Sequence, residues 1–475
     1  RLDEPCLPRC TGPVGSVAMC NGGDSSVPSI SSLRLKTHVL KGRGSIQDEF
    51  SFGRRLIGRG GFGEVSMGVR RSTHAVRAVK SVPHKGACAH SRELGGDRHE
   101  AAIMASVDHP NVVKLIMTFE DKNHIHLVME LCSGGDLAGH LTEAQRFCGL
   151  AALSIMKQVL RSVAYLHKRD ICHRDVKLEN FLVQRPGPLP HNTLKIADFG
   201  LACGAGANEY FEKKMGTVRY WSPELVRGRY GRSCDVWSCG VIFYTLLCGK
   251  LPFNGKNDDE VITKVKRGNY AFLGSLWESV SDACRGFVRY LLKYDPADRP
   301  TAAKALEDLV VAELSEREAE VFDVRVSRRG CLARALTGHS ASLLAAGALA
   351  LSRSSATRRA ALRALSWQVD DLDVPDFSEL FLALDADGDG CLGLEELRAA
   401  GIAELKEVDE CLTQICPIDY TDFLVIMNGE TLCLRTSAFR AAFSALDRDG
   451  DGVISAADLQ GIPGYSEGGP NVTYE

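Results

Sequence analysis

Short alternating and β-branched runs come first along the patterned part of the chain, at Ala75–Val79 and Ile125–Met129, and long stretches of helical period follow from Ala151 onward. This order predicts a small β-rich lobe followed by a larger helical lobe, with the boundary near Cys132–Gly135. The pattern sets in abruptly at Phe50. Residues 1–49 are rich in Gly, Ser and Pro without a sustained period, which predicts a disordered leader. Further on, no turn-defined element is expected between Leu314 and Ala356. Ala356–Val369 then places Leu362, Leu365 and Val369 on one helical face and Arg358, Arg359 and Arg363 on the other. That is the pattern of a basic amphipathic helix taken up by an apolar groove, or of a surface helix on the following domain.

At 475 residues the chain exceeds what one hydrophobic core supports, so two or three domains are expected. The net charge of −3 conceals a division, because residues 370–475 hold 23 acidic and five basic side chains. An acidic lobe on a basic one points to intramolecular docking or to a dense set of cation ligands, and away from nucleic acid. The 17 cysteines are odd in number and scattered, with no Cys-x-x-Cys, which argues against a disulfide framework or a zinc site. The longest apolar run, Ser342–Leu351, is far short of the roughly 20 residues that span a bilayer, so no transmembrane segment is expected. A cytoplasmic location is the expectation, with acylation of Cys6, Cys10 or Cys20 as the alternative to a free leader. Because the first residue is Arg1, the native N-terminus, with any lipidated glycine or signal, is expected upstream.

The chemistry sits in spaced motifs. Gly58-Arg59-Gly60-Gly61-Phe62-Gly63-Glu64-Val65 fits a glycine-rich turn whose backbone can cover nucleotide phosphates because no Cβ intervenes. Ala78-Val79-Lys80 then supplies a strand lysine for the α and β phosphates, and Glu100 stands in a helical stretch where it can pair with that lysine. In His173-Arg174-Asp175-Val176-Lys177-Leu178-Glu179-Asn180, Asp175 would orient and deprotonate a substrate hydroxyl. Lys177 would neutralise charge on the transferring phosphoryl group, and Asn180 would bind Mg²⁺. Asp198-Phe199-Gly200 brings the second metal carboxylate. Ser222-Pro223-Glu224, Asp235-Val236-Trp237-Ser238 and Arg299 follow in order, with Glu224 and Arg299 expected as a buried ion pair.

With these motifs in place, residues 50 to about 314 resemble a protein kinase of the calmodulin-dependent type. The resemblance implies an α+β, bilobal fold. It also implies an ATP site built from Ile57, Gly58, Gly60, Gly63, Val65, Ala78, Lys80, Met129, Glu130, Cys132, Leu182 and Asp198, with Met129 as a large gatekeeper. It further places Asp136 and Glu179 where basic-directed kinases read an arginine N-terminal to the target Ser/Thr, with a solvated surface acid as the plainer reading of Asp136. No Ser or Thr lies between Leu201 and Gly216. Glu209 and Glu212 are therefore expected to give Arg174 the negative charge that a phosphate would otherwise supply.

Asp385–Glu396 fills a 12-residue calcium loop, with Asp385, Asp387 and Asp389 at positions 1, 3 and 5, Gly390 at 6, the Cys391 carbonyl at 7 and Glu396 at 12. Position 9 is Gly393, so a water is expected there. Asp447–Asp458 repeats the pattern with Asp447, Asp449, Asp451, Gly452 and the Val453 carbonyl, but ends on Asp458, a shorter carboxylate that predicts weaker calcium binding or a magnesium preference. A loop aligned back from Ile418–Phe423 has Cys411, Thr413 and Ile415 at positions 1, 3 and 5, which predicts a metal-free partner near 411–422. A degenerate fourth hand is expected near 465–475, with the chain ending inside it.

Kinase, basic helix and four hand positions in this order resemble the calcium-dependent protein kinases of plants, algae and alveolate protists, with Arg358-Arg359-Ala360-Ala361-Leu362 matching their junction element. The resemblance implies a kinase domain over 50–314, a connector and autoinhibitory junction helix over 315–370, and an all-α, calmodulin-like EF-hand domain over 371–475. It implies a calcium-activated Ser/Thr kinase using ATP, Mg²⁺ and Ca²⁺ on protein substrates of basic context, switched when the EF-hands grip the junction helix. Two alternatives stand beside it. One is a constitutive kinase with a docking module, and the other is a calcium-responsive scaffold with an inert kinase fold.

Overall fold

A computed structural model describes residues 39–42, 44–60, 63–84, 98–189, 192–206, 209–308, 338–354, 358–359, 362–363, 366, 377–402, 406–433, 447, 453–455 and 472–473. The β-rich N-terminal lobe is one six-stranded sheet in the order β1-β5-β6-β4-β3-β2. Its strands are β1 (Leu40–Lys41), β2 (Phe50–Gly60), β3 (Gly63–Arg70), β4 (Val76–Pro83), β5 (Leu115–Glu120) and β6 (His124–Met129). Among the described residues, two helices belong to this lobe, α1 (Ile46–Glu49) and α2 (His99–Ser106). Alternation along the strands puts Val79, Met117, Phe119 and Val128 into a small core with Phe50 and Ile46.

The leader does not stay unstructured up to residue 49. Leu40 pairs in parallel with Met117, and Ser45 caps α1, which drops Ile46 into that core. A single apolar residue just before the periodic segment gives little sequence signal, and strand pairing, the α1 cap and the Glu49–Arg70 ion pair add to its hold.

The helical lobe contains α3 (Leu137–Ala144), α4 (Gly149–Lys168), α5 (Pro223–Arg227), α6 (Ser233–Cys248), α7 (Asp258–Arg267), α8 (Asp282–Leu291) and α9 (Ala302–Leu306). Helix α6 is buried almost all round, as its unbroken apolar sequence requires, and α4 packs across it. Short strands β7 (Ile171–Cys172), β8 (Phe181–Val183), β9 (Leu194–Ile196) and β10 (Cys203–Gly204) hold the loops between the lobes. In Ser222-Pro223-Glu224 the serine hydroxyl accepts from Leu225 N, and proline takes the first helical position of α5.

The connector is not featureless. Helix α10 (Gly338–Ser352) carries no charge, and Leu344, Ala348 and Leu351 pack into the core of the last domain. That core is built on α11 (Phe377–Leu384), α12 (Leu394–Ala399), α13 (Lys406–Ile415) and α14 (Tyr420–Cys433). Gly347 is required here, because a Cβ would stand 2.1 Å from the Ile426 carbonyl oxygen.

Of the basic junction helix, Arg358, Arg359, Leu362, Arg363 and Ser366 are described, all helical. Leu362 is buried in this core as its pattern predicts. Arg363 does not face solvent. It pairs with Asp419, and its Nε lies 3.2 Å from Asp422.

Two paired loops define the hands. Strand β11 (Cys391–Leu392) pairs with β12 (Ile418–Asp419), Leu392 against Ile418, which sets position 8 of the first hand opposite position 8 of the second. Helix α13 continues to Ile415, through the first five positions of the second loop, so no oxygen cage can form there. Strand β13 (Val453–Ile454) pairs with β14 (Val472–Thr473) in the same register, Ile454 against Val472.

Candidate functional site

The β2–β3 hairpin carries the glycine-rich turn. Gly63 has φ +144°, and a Cβ there would lie 2.4 Å from the Ser81 carbonyl oxygen, so the turn can close on β4 only as glycine. A Cβ at Gly58 would enter open space, consistent with a backbone free to cover phosphates. Val65 pairs with Lys80 and Ala78 with Met129, so Val65, Ala78 and Lys80 share one face of the sheet. The bridge between Asp136 and Leu182 sets Leu182 against the segment that joins the lobes. Ile57, Gly60 and Cys132 lie in β2 and in that joining segment. The carboxylate of Glu130 turns away, accepting from Lys114 N at 2.7 Å and pairing with Lys195 at 3.0 Å. Only backbone atoms of Glu130 then suit a nucleotide.

Lys80 Nζ lies 2.7 Å from both Glu100 Oε1 and Asp198 Oδ1. Burial opposes charge on Lys80, but the two carboxylates outweigh it and hold its pKa above the ordinary lysine value. Asp198 is depressed in turn, because Lys80 and Lys177 overcome its burial. Both groups are therefore charged at neutral pH. Phe199 is fully buried with its ring 5.1 Å from that of His173, which seats the Asp198 segment inward. Arg174 and Asp198 hold φ of +63° and +62°, left-handed conformations that cost about 1–3 kcal/mol each in a non-glycine residue. Asp235 over-determines the first, since its two oxygens accept from His173 N and Arg174 N at 2.9 Å each. The neighbouring Cys172 and Cys234 belong to this anchor and bring no metal, because the Asp235 oxygens are already taken.

Asp175 Oδ1 accepts from Thr217 Oγ1 at 2.8 Å and from Thr217 N at 3.0 Å, and Lys177 Nζ lies 2.5 Å from Asp175 Oδ2. Asn180 Nδ2 donates to the Asp175 carbonyl oxygen at 2.8 Å, which turns its own oxygen outward for a cation. Asn180 and Asp198, with oxygen donors only, fit a hard divalent ion such as Mg²⁺.

The expected partners of Arg174 differ. The Phe211 ring covers its guanidinium at 4.7 Å, and its Nε donates to the Leu201 carbonyl oxygen at 2.7 Å. Glu209 instead receives Gly206 N, and Glu212 is exposed. An aromatic ring, not an acid, covers the arginine. Asp136 caps α3 through Gly139 N at 2.7 Å.

In the first calcium loop, Asp385, Asp387 and Glu396 bring carboxylate oxygens within 4.8 Å of one another. Gly388 and Gly390 take φ of +68° and +77° to turn the chain around them. Glu396 folds back to receive Ala386 N at 2.7 Å and Gly393 N at 2.8 Å. Burial and the neighbouring Glu396 and Asp389 raise Asp385 to about 7, as expected where carboxylates converge without an internal counter-charge. The all-oxygen donor set and the folded loop fit calcium. In the loop that starts at Asp447, that aspartate is buried and Val453 opens β13, whereas Asp449, Asp451 and Asp458 lie outside the described residues.

Sequence reasoning missed how the EF-hand domain meets the kinase lobe. Gly390 stands so close to Tyr165 of α4 that a Cβ would come within 2.2 Å of the ring. Arg161 Nη2 donates to the Leu382 carbonyl oxygen at 3.4 Å. Asp108, just past α2, receives Thr421 N at 2.9 Å and so caps α14 from another domain. Asp108→Ala is expected to weaken this docking by about 1.5–3 kcal/mol, the range for a hydrogen bond to a charged group. Faster amide exchange at Thr421 with an unchanged kinase core would show it, and unchanged exchange would contradict it.

The protein kinase domain family matches residues 53–311, and the EF hand family matches 377–400 and 439–462. Calcium-dependent protein kinase 3 of Plasmodium yoelii yoelii is 33% identical over 431 residues, covering 89% of this chain and 76% of that protein. Calcium-dependent protein kinase 4 of Plasmodium falciparum is 31% identical over 439 residues, 87% of this chain and 80% of the relative. The assembled Lys80–Glu100–Asp198 and Asp175–Thr217–Lys177 clusters, the folded calcium loop and these matches lead to one conclusion: the chain belongs to the protein kinases, and among them to the calcium-dependent protein kinases.

Proposed function

We propose that this chain is a calcium-activated Ser/Thr protein kinase in which the EF-hand domain holds the connector away from the catalytic cleft. ATP bound with Mg²⁺ supplies the transferable phosphoryl group. Lys80, held by Glu100, orients the phosphates, and Asn180 and Asp198 hold the metal. Asp175 accepts the proton of the substrate hydroxyl, and Lys177 offsets charge beside it. Asp385, Asp387, Asp389, the Cys391 carbonyl and Glu396 are the ligands for calcium, with Asp447, Asp449, Asp451, the Val453 carbonyl and Asp458 as the second set.

One observation carries the switching role: the catalytic clusters are assembled in a chain whose connector helix α10 packs on α13 and α14 of the EF-hand domain. Calcium stabilises the apolar groove that takes α10 and Leu362, and its loss returns this segment to the cleft. Substrates carry an arginine N-terminal to the target Ser/Thr. Supporting this, Asp175 and Asp136 act on Glu179 as like charges, which makes the cluster acidic and attractive to a cation.

Glu396→Gln tests the loop. It is expected to weaken calcium binding by about two orders of magnitude, because the position-12 carboxylate contributes both charge and two oxygens. Phosphate transfer titrated against free calcium should need correspondingly more of it, and an unchanged midpoint would remove the first hand from the switch.

A further inference from the structure

The seat that the kinase lobe offers to the first calcium loop is cationic and touches the ligands themselves. Lys168, the last residue of α4, lies with Nζ 3.0 Å from Asp387 Oδ2 and 3.5 Å from Asp389 Oδ2. Arg169 follows, with Nη2 4.0 Å from Cys391 Sγ. Two turns earlier, Arg161 is half-buried, and Asp385 and Glu379 oppose the loss of its charge that burial favours. At the end of α4, Lys168 thus faces positions 3 and 5 of the loop and Arg169 position 7, while Arg161 further back in the helix acts by charge on position 1. Tyr165 packs on Gly390 between them and fixes their distance.

We propose that Lys168 sets the calcium threshold of the first hand, because it is a competing cation on two of the carboxylates that calcium needs. This rests on the reading of Asp385–Glu396 as a calcium site. A divalent ion in the loop calls on Asp387 and Asp389 and is repelled by an ammonium group held against them. Docking on the kinase lobe therefore lowers the affinity of the loop. By reciprocity, loading the loop loosens this contact by the same factor. Neither the loop sequence nor the helix sequence reveals this, since the two are more than 200 residues apart.

The contact is partly exposed, with Lys168 46% accessible, so its effect is moderate. Calorimetric calcium titration of the full chain tests it, with Asp447→Ala in every variant so that the first loop is read alone. Lys168→Gln is expected to bind calcium about fivefold more tightly than the parent at low salt, with the difference shrinking in high salt. Lys168→Arg, which keeps the charge, is expected to stay within about twofold of the parent. Equal affinity for Lys168→Gln and the parent would overturn the role of Lys168 while leaving the calcium site intact. No calcium binding in either chain would overturn the reading of the loop itself. Because Lys168 is on the surface, thermal unfolding of the variants should match the parent, and a shared loss of stability would count against a purely electrostatic effect.

Discussion

An Asp175→Asn enzyme should transfer phosphate about 10³-fold more slowly than the parent while folding and binding nucleotide normally. The amide keeps the size of the side chain and one acceptor oxygen for Thr217, so the Asp175–Thr217 contact at 2.8 Å can persist. What disappears is the carboxylate that takes the hydroxyl proton, a role worth about 10²–10⁴ in rate. It also removes the negative charge facing Lys177 Nζ at 2.5 Å, leaving that lysine less well positioned. Nucleotide affinity should hold, since the Lys80, Glu100 and Asp198 cluster is separate. Single-turnover transfer measured beside nucleotide binding checks this. A fall in both together would mean that the substitution had damaged the cleft instead of the chemistry.

The second large effect is on stability. Arg299→Met should destabilise the helical lobe by about 3–5 kcal/mol, the usual cost of leaving one partner of a buried ion pair uncompensated. Arg299 Nη1 meets Glu224 Oε1 at 2.6 Å and Nη2 meets Oε2 at 3.1 Å, with side-chain exposures of 0% and 6%. The guanidinium also donates to the Ser233 and Lys293 carbonyl oxygens and stacks over Trp237 at 5.1 Å. It thereby ties α5 and the start of α6 to the segment ahead of α9. Adding Glu224→Gln should recover part of the loss, because the unpaired buried charge goes with it. Urea unfolding followed at the kinase lobe would show both effects, and additive losses would contradict this account of the pair.

The catalytic lobe was legible because its chemistry is written in local motifs whose spacing the fold obeys. Lys80, Asp175, Asn180 and Asp198 meet where strand register and two left-handed residues, Arg174 and Asp198, put them. The departure of the hand at 411–422 from the calcium-loop pattern was legible in Cys411, Thr413 and Ile415, and α13 runs through those positions.

What the sequence hid depends on distant partners. Helix α10 has no polar face, so its residues give no period to read until α13 and α14 bury it. Arg363 looked like part of a basic face, yet Asp419 and Asp422, far along the chain, supply its counter-charge. Glu209 and Glu212 were reasonable partners for Arg174 by charge, but Phe211 reaches it first, and a ring face carries no formal charge to search for. Asp136 is a helix cap by geometry, whatever it reads in a substrate. The kinase seat of Lys168, Arg161 and Asp108 follows only from the docking of two domains.

One intact calcium loop and one ending in Asp458 must supply the switch, and moving an equilibrium from 1:99 to 99:1 takes about 5.5 kcal/mol of differential binding. The most direct test is phosphate transfer from labelled ATP, with Mg²⁺, to a peptide containing Arg-x-x-Ser, first in excess chelator and then in micromolar free calcium. Transfer that rises by an order of magnitude or more with calcium is the expected result. Equal rates in the two conditions would contradict calcium activation and leave a constitutive kinase with a docked EF-hand domain.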